Sequence, residues 1–501
     1  MATWVDETTS LARSAARLAE RYSRADPETQ AERMRSLRLD ARDHGHVRVH
    51  ARVRAPRSAK EAAVALRFAI RRGYDASGRL ADGLVFGATD RTNAEYVLDE
   101  VHLGESAEQV YDAVARDAVA AALDGYNTAV VVLGQNGAGK TTTLFGSREA
   151  LRPTDEALSG SLHEEAGLVP RAAREIFDAL AAHSSSEMRG GLFLVTASFV
   201  EVSGERLTDL LADSAGPREQ APSPRQAQSR QVSSVSSPGA KLSVLECAQR
   251  GTYVHGANEL IVLSEAELLA LVRRGLAASE EREQADAKLG HAPAEFDGGG
   301  KGARGLRQCY RGHRVLSLCI RQLRSTEAAR TLGGASSVLT LPASAAAANA
   351  LVAASAFEDV RSEIRFALLA DWVRVGGADV AEVPKLNQAL SALAHVSANA
   401  TGRRSSLADA QAAMEVAAAE EGQRSGTAGG APPPFAPMRE SVLTRLLAPA
   451  LSGKAIATFV CALSPLGADS DAGARTLGMV APLRAVASCA RRAIVPDAAA
   501  T

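Results

Sequence analysis

The chain has 501 residues, 46% of them apolar, with 57 Lys and Arg against 58 Asp and Glu and a formal net charge of −1. Such values exclude a wholly disordered chain and a globally basic, histone-like nucleic-acid binder. Five cysteines (Cys247, Cys309, Cys319, Cys461, Cys489) are odd in number and never spaced Cys-x-x-Cys, so a reducing compartment is expected rather than a disulfide framework or zinc module.

No run reaches about 18 uninterrupted apolar residues, so no membrane span is expected. Met1 to Asp6 lacks both the basic and the apolar region of a secretion signal. The chain therefore reads as a soluble intracellular protein.

Thr9 to Leu39 carry apolar side chains at helical spacing (Leu11, Ala15, Leu18, Tyr22), interrupted at Asp26-Pro27. The spacing predicts an N-terminal helical extension over residues 1–45. Val47 to Val53 then alternates like a strand and ends before Pro56. Helical segments interleave with further β-rich runs at Thr128 to Leu133, Leu192 to Val202, Arg314 to Ile320, Val338 to Leu341 and Ala457 to Leu463. That alternation predicts an α/β layered domain over residues 46–484. Three stretches, about 212–240, 280–307 and 402–434, are too polar or too rich in Gly and Pro to bury much apolar surface. Each is expected to be a mobile surface insertion, with Glu280-Glu281-Arg282-Glu283 as a solvated face. Residues 485–501 form a short tail without heptads, so a dimerising stalk is not expected and the chain alone reads as a monomer.

The strongest chemical signal is Gly134-Gln135-Asn136-Gly137-Ala138-Gly139-Lys140-Thr141, a full G-x-x-x-x-G-K-[ST] phosphate loop directly after the apolar strand Thr128 to Leu133. Its glycines let backbone N–H groups curl around phosphate oxygens, and the following segment starts a helix. Lys140 is expected to meet the β and γ phosphates, and the Thr141 hydroxyl to ligate Mg²⁺.

The surroundings resemble the kinesin motor domain. Val110-Tyr111 and Leu123-Asp124-Gly125-Tyr126-Asn127 precede the loop as V-Y and L-x-G-Y-N do in kinesins. Further collinear blocks are Arg52-Val53-Arg54-Ala55-Pro56, Gly167 to Arg171, Ser198 to Val202 with Asp209-Leu210-Leu211, Leu386 to Leu393, Pro437 to Leu447, and Ser464-Pro465. Together they span roughly residues 47 to 484. The resemblance implies a three-layer α/β/α kinesin-type P-loop NTPase motor domain with a central mixed sheet, surface insertions and an N-terminal helical extension. It also implies ATP and Mg²⁺ as cofactors, microtubules as partner, and a place in the cytoplasm on the microtubule cytoskeleton. No nucleic-acid or membrane partner is expected. Arg52, Arg54, Pro56 and Tyr126 are implied near adenine, with Thr142 beside the loop, though the extra Ala55 departs from the family's R-x-R-P.

The same resemblance exposes two departures. Switch I, N-x-x-S-S-R-S-H in kinesins, aligns with Leu306 to His313 and retains only Arg311 and His313. Switch II, D-x-A-G-S-E, aligns with Thr340 to Ala345 and retains only Ser344. The hydroxyls, the carboxylates and the glycine that respond to the γ-phosphate are thereby missing. Hydrolysis is expected to be slow or absent, with Arg311 the remnant of the catalytic machinery and Ser279, Glu280, Glu281 or Glu283 the candidates to substitute. His313 is expected to be a structural hydrogen-bonder. The track face is implied around Asn387 to Val396 and Arg439 to Leu447, with Lys385, Arg403, Arg404, Arg439 and Arg445 as cations facing acidic tubulin and Val442 in place of the usual lysine. The rival reading is a non-catalytic scaffold on the same fold. An unrelated P-loop kinase or GTPase lacks support from the collinear blocks.

Overall fold

The computed structural model describes residues 45–66, 68–74, 80–85, 95–151, 162–185, 192–212, 242–247, 251–288, 312–325, 357–370, 438–488 and 490. The elements in chain order are β1 (Arg48–Val53), α1 (Ala59–Ala63), β2 (Ala69–Tyr74), β3 (Leu80–Val85), β4 (Glu95–Leu98) and β5 (Glu100–Leu103). Then come α2 (Ala107–Val114), α3 (Arg116–Leu123), β6 (Thr128–Gly134), α4 (Lys140–Leu144), α5 (Leu168–Ser185), β7 (Leu192–Ser203) and β8 (Arg206–Asp209). The remainder are β9 (Ser243–Cys247), β10 (Gly251–His255), β11 (Leu260–Ile261), α6 (Glu265–Lys288), β12 (His313–Ser325), β13 (Phe357–Leu368), α7 (Val442–Leu451), β14 (Ile456–Leu463) and α8 (Ser470–Val480).

The main sheet runs β11-β7-β12-β13-β6-β14-β1-β5, with β8 added to β7. From β13 to β5 every pairing is parallel, whereas β12 is antiparallel to both β13 and β7. All seven residues of β6 are buried, as expected for a parallel strand covered on both faces. Alternation divides them. Ala129, Val131 and Leu133 join a core with β1, α7 and α8, while Val130 and Val132 join a second core with α2, α3, α5 and α6. These two cores are the spaces between three layers, α/β/α. A small β2-β3-β4 sheet lies beside the main one.

Local chemistry marks several boundaries. Ser106 and Gln109 form a capping box at the start of α2, and Ser441 and Thr444 do the same for α7. At the other end of the chain, Val486 is fully buried and Ser488 N–H donates to Gly45 O at 2.7 Å, so packing continues beyond residue 484.

Two expectations are corrected. The stretch from Glu280 is not an irregular insertion at its start, because α6 continues to Lys288. Nor is Glu280 to Glu283 uniformly solvated. Ser279 is fully buried, and Glu283 Oε1 accepts from Nη2 of the buried Arg314 at 2.6 Å. The charges persist in the helix because one face meets a buried cation. The N-terminal extension, the 212–240 and 402–434 insertions (apart from Ala212), the 289–307 part of the third, and the strand at Val338 to Leu341 lie outside the described residues. So do Lys385, Asn387 to Val396, Arg403 and Arg404.

Candidate functional site

Four parallel strands, β13, β6, β14 and β1, bring their carboxyl ends to one edge of the sheet, the edge at which open α/β sheets bind ligands. The phosphate loop leaves β6 there. Gly134, Gly137 and Gly139 have φ of 138°, 78° and 91°, conformations that side-chain-bearing residues rarely adopt. At Gly134 the glycine is also a steric requirement, since a Cβ would lie 2.2 Å from Ala462 O on β14. At Gly137 a Cβ would meet nothing within 4 Å, and this residue lies on the open side of the loop.

Lys140 is 7% exposed, and its Nζ donates to Gly134 O at 2.6 Å and Gln135 O at 3.0 Å. The ammonium is thus fixed at the base of the loop by the loop's own carbonyls. Gln135 and Ala138 are buried, Asn136 and Thr142 exposed, and Thr141 half-buried. Gln135 Oε1 is buried with no hydrogen-bond partner among the described residues, one sign that the loop's polar groups are arranged around something further. Backbone amides turned by positive φ, an ammonium and a threonine hydroxyl fit a phosphate chain with its divalent ion.

Strand β1 supports the loop from one side. Side chains two apart share a face, so Arg48, His50, Arg52 and Arg54 form one row. Arg52 Nη1 donates to Thr143 Oγ1 at 2.7 Å, and Thr143 Oγ1 donates to Gly139 O at 2.9 Å. Arg54 Nε donates to Gly137 O at 2.7 Å, joined by Arg57 Nη2 at 3.2 Å. Glu61 accepts from Arg54 at 2.8 Å and from Arg57 N–H at 2.8 Å, and these bonds hold its carboxyl below the usual range. Burial pushes the Arg52 pKa down, with the charge of Glu105 opposing it.

Of the sequence-stated residues, Arg52, Arg54 and Gly134 to Thr142 come together, with Pro56 exposed on the connection after β1. Tyr126 does not join them. It is 3% exposed, packed with Ala121 and Ala490 before the start of β6, whereas the loop follows that strand's end. Six residue steps of strand, about 20 Å, separate the two ends. An adenine contact for Tyr126 is therefore corrected to a packing role. Arg57, Glu61 and Thr143 were not singled out from the sequence. Arg57 directly follows Pro56, and Thr143 lies three residues after the motif lysine.

Arg311 and Thr340 to Ala345 lie outside the described residues. His313, 1% exposed, accepts at Nδ1 from Ala370 N–H at 3.0 Å, tying the start of β12 to the end of β13. The strand flanking the loop strand on this side is β13, with Leu368 beside Val132 and Leu369 N–H donating to Val132 O at 2.8 Å. Its end, Phe366-Ala367-Leu368-Leu369-Ala370, is buried and apolar. The expected alignment ran the second switch from the Val338 to Leu341 run, but the strand that approaches the loop is Phe357–Leu368.

In the segment implied to face the track, Val442, Leu443, Thr444, Leu446 and Leu447 are buried within α7. Arg439 and Glu440 are exposed and Arg445 half-buried.

A family model, the kinesin motor domain, matches residues 56–290. Kinesin-like protein KIN-5B of Oryza sativa subsp. japonica is 32% identical over 207 residues, 41% of this chain and 17% of that protein. Kinesin-like protein KIF9 of Mus musculus is 34% identical over 122 residues, 24% of this chain and 13% of that protein. Kinesin-like protein KIN-7L of Oryza sativa subsp. japonica is 24% identical over 413 residues, 81% of this chain and 47% of that protein. The chain thus spans less than half of the length of these curated relatives. Among solved structures, a KIF14 dimer with AMP-PNP in complex with a microtubule superposes with a TM-score of 0.56 at 20% identity, covering 91% of this chain and 97% of that one.

Proposed function

The chain belongs to the kinesin motor domain family through residues 56–290, and from that premise we propose that it binds ATP with Mg²⁺ at Gly134 to Thr142, engages microtubules, and hydrolyses the nucleotide slowly. The observation that carries the reading is the loop itself: three glycines at positive φ, Lys140 fixed at its base, and Arg54 and Arg57 clasping Gly137 O.

In this reading the loop amides and the Lys140 ammonium bind the β and γ phosphates, and the Thr141 hydroxyl faces the metal. Bound magnesium supplies charge neutralisation on the phosphate oxygens. Arg54 and Pro56 flank the base from the connection after β1, and Arg52 holds the loop helix through Thr143. Arg439 supplies an exposed cation toward an acidic track. The protein then acts in the cytoplasm, on the microtubule cytoskeleton.

Slow turnover is supported by what β13 delivers. P-loop NTPases place a carboxylate near the metal opposite the loop threonine, and among the described residues the end of this strand, Leu368-Leu369-Ala370, offers none, with Asp371 the next residue along the chain. Losing a preorganised electrostatic contact of this kind costs about 10²–10³ in rate. The same observation favours a second reading, a non-catalytic scaffold that retains the fold and the nucleotide.

Titrating a fluorescent ATP analogue against wild type and Lys140→Ala tests the loop, and equal affinities overturn it. Turnover at saturating microtubules tests the rate, where about 1–100 s⁻¹ overturns slow hydrolysis. Co-sedimentation with microtubules separates the readings. A motor pellets more tightly with a non-hydrolysable analogue, and a scaffold pellets alike with or without it.

A further inference from the structure

The row of side chains on β1 that supports the loop also contains His50, which meets a histidine of β5. His50 is 3% exposed, and β5, the edge strand of the main sheet, places Glu100 directly opposite it and His102 two residues further along. The two-residue period of a strand puts Glu100 and His102 on one face. His50 Nδ1 and His102 Nε2 stand 3.1 Å apart. Their ring planes differ by 2° and their centroids are 5.4 Å apart, so the imidazoles meet edge to edge. One ligating atom from each of His50, Glu100 and His102 lies within 4.8 Å of the others.

We propose that His50, Glu100 and His102 form a binding site for a divalent transition ion of the Zn²⁺ type, which clips the edge strand β5 to β1. Two imidazoles and a carboxylate suit Zn²⁺, Co²⁺ or Ni²⁺ and disfavour Mg²⁺ and Ca²⁺, which take oxygen ligands. Nitrogens bonded to Zn²⁺ at 2.0–2.1 Å in a tetrahedral arrangement stand about 3.3 Å apart, close to the 3.1 Å between these two.

The surroundings prepare the second histidine for this role. His102 Nδ1 is hydrogen-bonded to Glu105 Oε2 at 2.5 Å. A carboxylate on one ring nitrogen fixes the proton there and leaves the lone pair of the other nitrogen toward the ion. Nε2 of His102 is the atom that faces His50. The competing occupant is a proton, shared as an N–H···N bond between the rings. An ion takes its place when His50 presents the Nδ1 lone pair, as the tautomer that carries its proton on Nε2.

Electrostatics and access agree with this assignment. Glu100 and Glu105 offset the divalent charge, and Glu100 is half-buried, leaving one side of the site open toward solvent for a water ligand. The histidines themselves are fully enclosed between strands. Because His50 shares its strand face with Arg52 and Arg54, the ion would stiffen the same strand that holds the phosphate loop.

The test uses the full chain, stripped with chelator and dialysed. Co²⁺ is titrated by its visible d–d absorption, and thermal unfolding is followed with Zn²⁺ or Mg²⁺. We expect one Co²⁺ per chain with tetrahedral bands and a rise in Tm with Zn²⁺ that Mg²⁺ does not reproduce. His102→Gln should abolish both, and Glu100→Gln, at a half-buried position that tolerates the exchange, should weaken Co²⁺ binding at least tenfold. Absence of stoichiometric binding by the folded wild type overturns the proposal, as does wild-type affinity in either folded variant. Neither readout involves nucleotide, so the site stands or falls apart from the proposed ATPase.

Discussion

Arg52 on β1 and Thr143 on α4 are joined by a hydrogen bond of 2.7 Å, and through it the strand holds the helix that follows the phosphate loop. Thr143 passes the constraint on by donating to Gly139 O. A hydrogen bond to a charged group contributes about 1.5–3 kcal/mol. In a double-mutant cycle of Arg52→Met and Thr143→Val, measured by urea unfolding, the coupling should be about 1.5 kcal/mol. Nucleotide affinity should fall severalfold in each single variant. Additive effects, with no coupling, would show that the contact is incidental.

The glycines of the loop separate steric need from conformational need. Gly134→Ala puts a methyl 2.2 Å from Ala462 O at φ 138°, so strain and overpacking combine to about 3 kcal/mol or more. Gly137→Ala meets no atom within 4 Å and pays only for φ 78°, about 1 kcal/mol. Urea unfolding should rank the two in that order, with Gly137→Ala folded and weakened in nucleotide binding. Equal costs would contradict the packing of Gly134 against β14.

The legible parts of this chain are those in which one short stretch determines its own structure. The phosphate loop could be read because glycine spacing, lysine and the preceding apolar strand are contiguous, β1 could be read from local alternation, and β6, β7, β12 and β14 could be read as β-rich runs. The extension of α6 to Lys288 could not. Its charged residues look solvated until Arg314, 31 positions away from Glu283, is placed against them. β13 was hidden for a related reason. Its sequence, FEDVRSEIRFAL, mixes charge into the strand because Arg365 meets Glu363, Leu446 O and Thr252 O inside the fold. The His50–His102 pair is divided between two strands 52 positions apart, and no local pattern announces it. Tyr126 was placed near adenine on the family resemblance, which carries no distance, and a full strand lies between it and the loop.

Arg314 makes the α6 correction testable. It is 3% exposed, donates from Nε to Ser279 Oγ at 2.9 Å and from Nη2 to Glu283, and lies 3.9 Å from Glu201. Ser279 Oγ in turn donates to Glu201 at 2.8 Å. Removing one partner of a buried ionic network costs about 3–5 kcal/mol, because the remaining charges stay buried. Arg314→Ala should lose stability on that scale, and amide hydrogen exchange should accelerate at residues 279–288 more than in α5. Unchanged exchange there would show that the second half of α6 is held by other contacts.

A carboxylate on α5 predicts an unusual sign for the dependence of stability on pH. Burial pushes the Glu175 carboxyl above its ordinary range, against the hydrogen bond from Tyr111 and the charge of Arg116. Tyr111 O–H donates to Glu175 Oε2 at 2.6 Å, and burial likewise drives the phenol upward. Because the folded pKa lies above the unfolded value of about 4.3, the folded state holds the extra proton between the two. Stability contributed by Glu175 is therefore present at lower pH and declines as pH rises through that window, opposite to an ordinary ion-paired glutamate. Glu175→Gln keeps an acceptor for Tyr111 without the charge, so its stability should equal or exceed wild type at neutral pH and the gap should close on acidification. Tyr111→Phe removes the hydrogen-bond donor at 2.6 Å and leaves the carboxylate to Arg116 at 3.4 Å, and should cost about 1–3 kcal/mol at neutral pH. Unfolding measured from pH 4 to pH 8 decides the matter: a gap that widens toward acid would mean that Arg116, and not burial, governs this carboxyl.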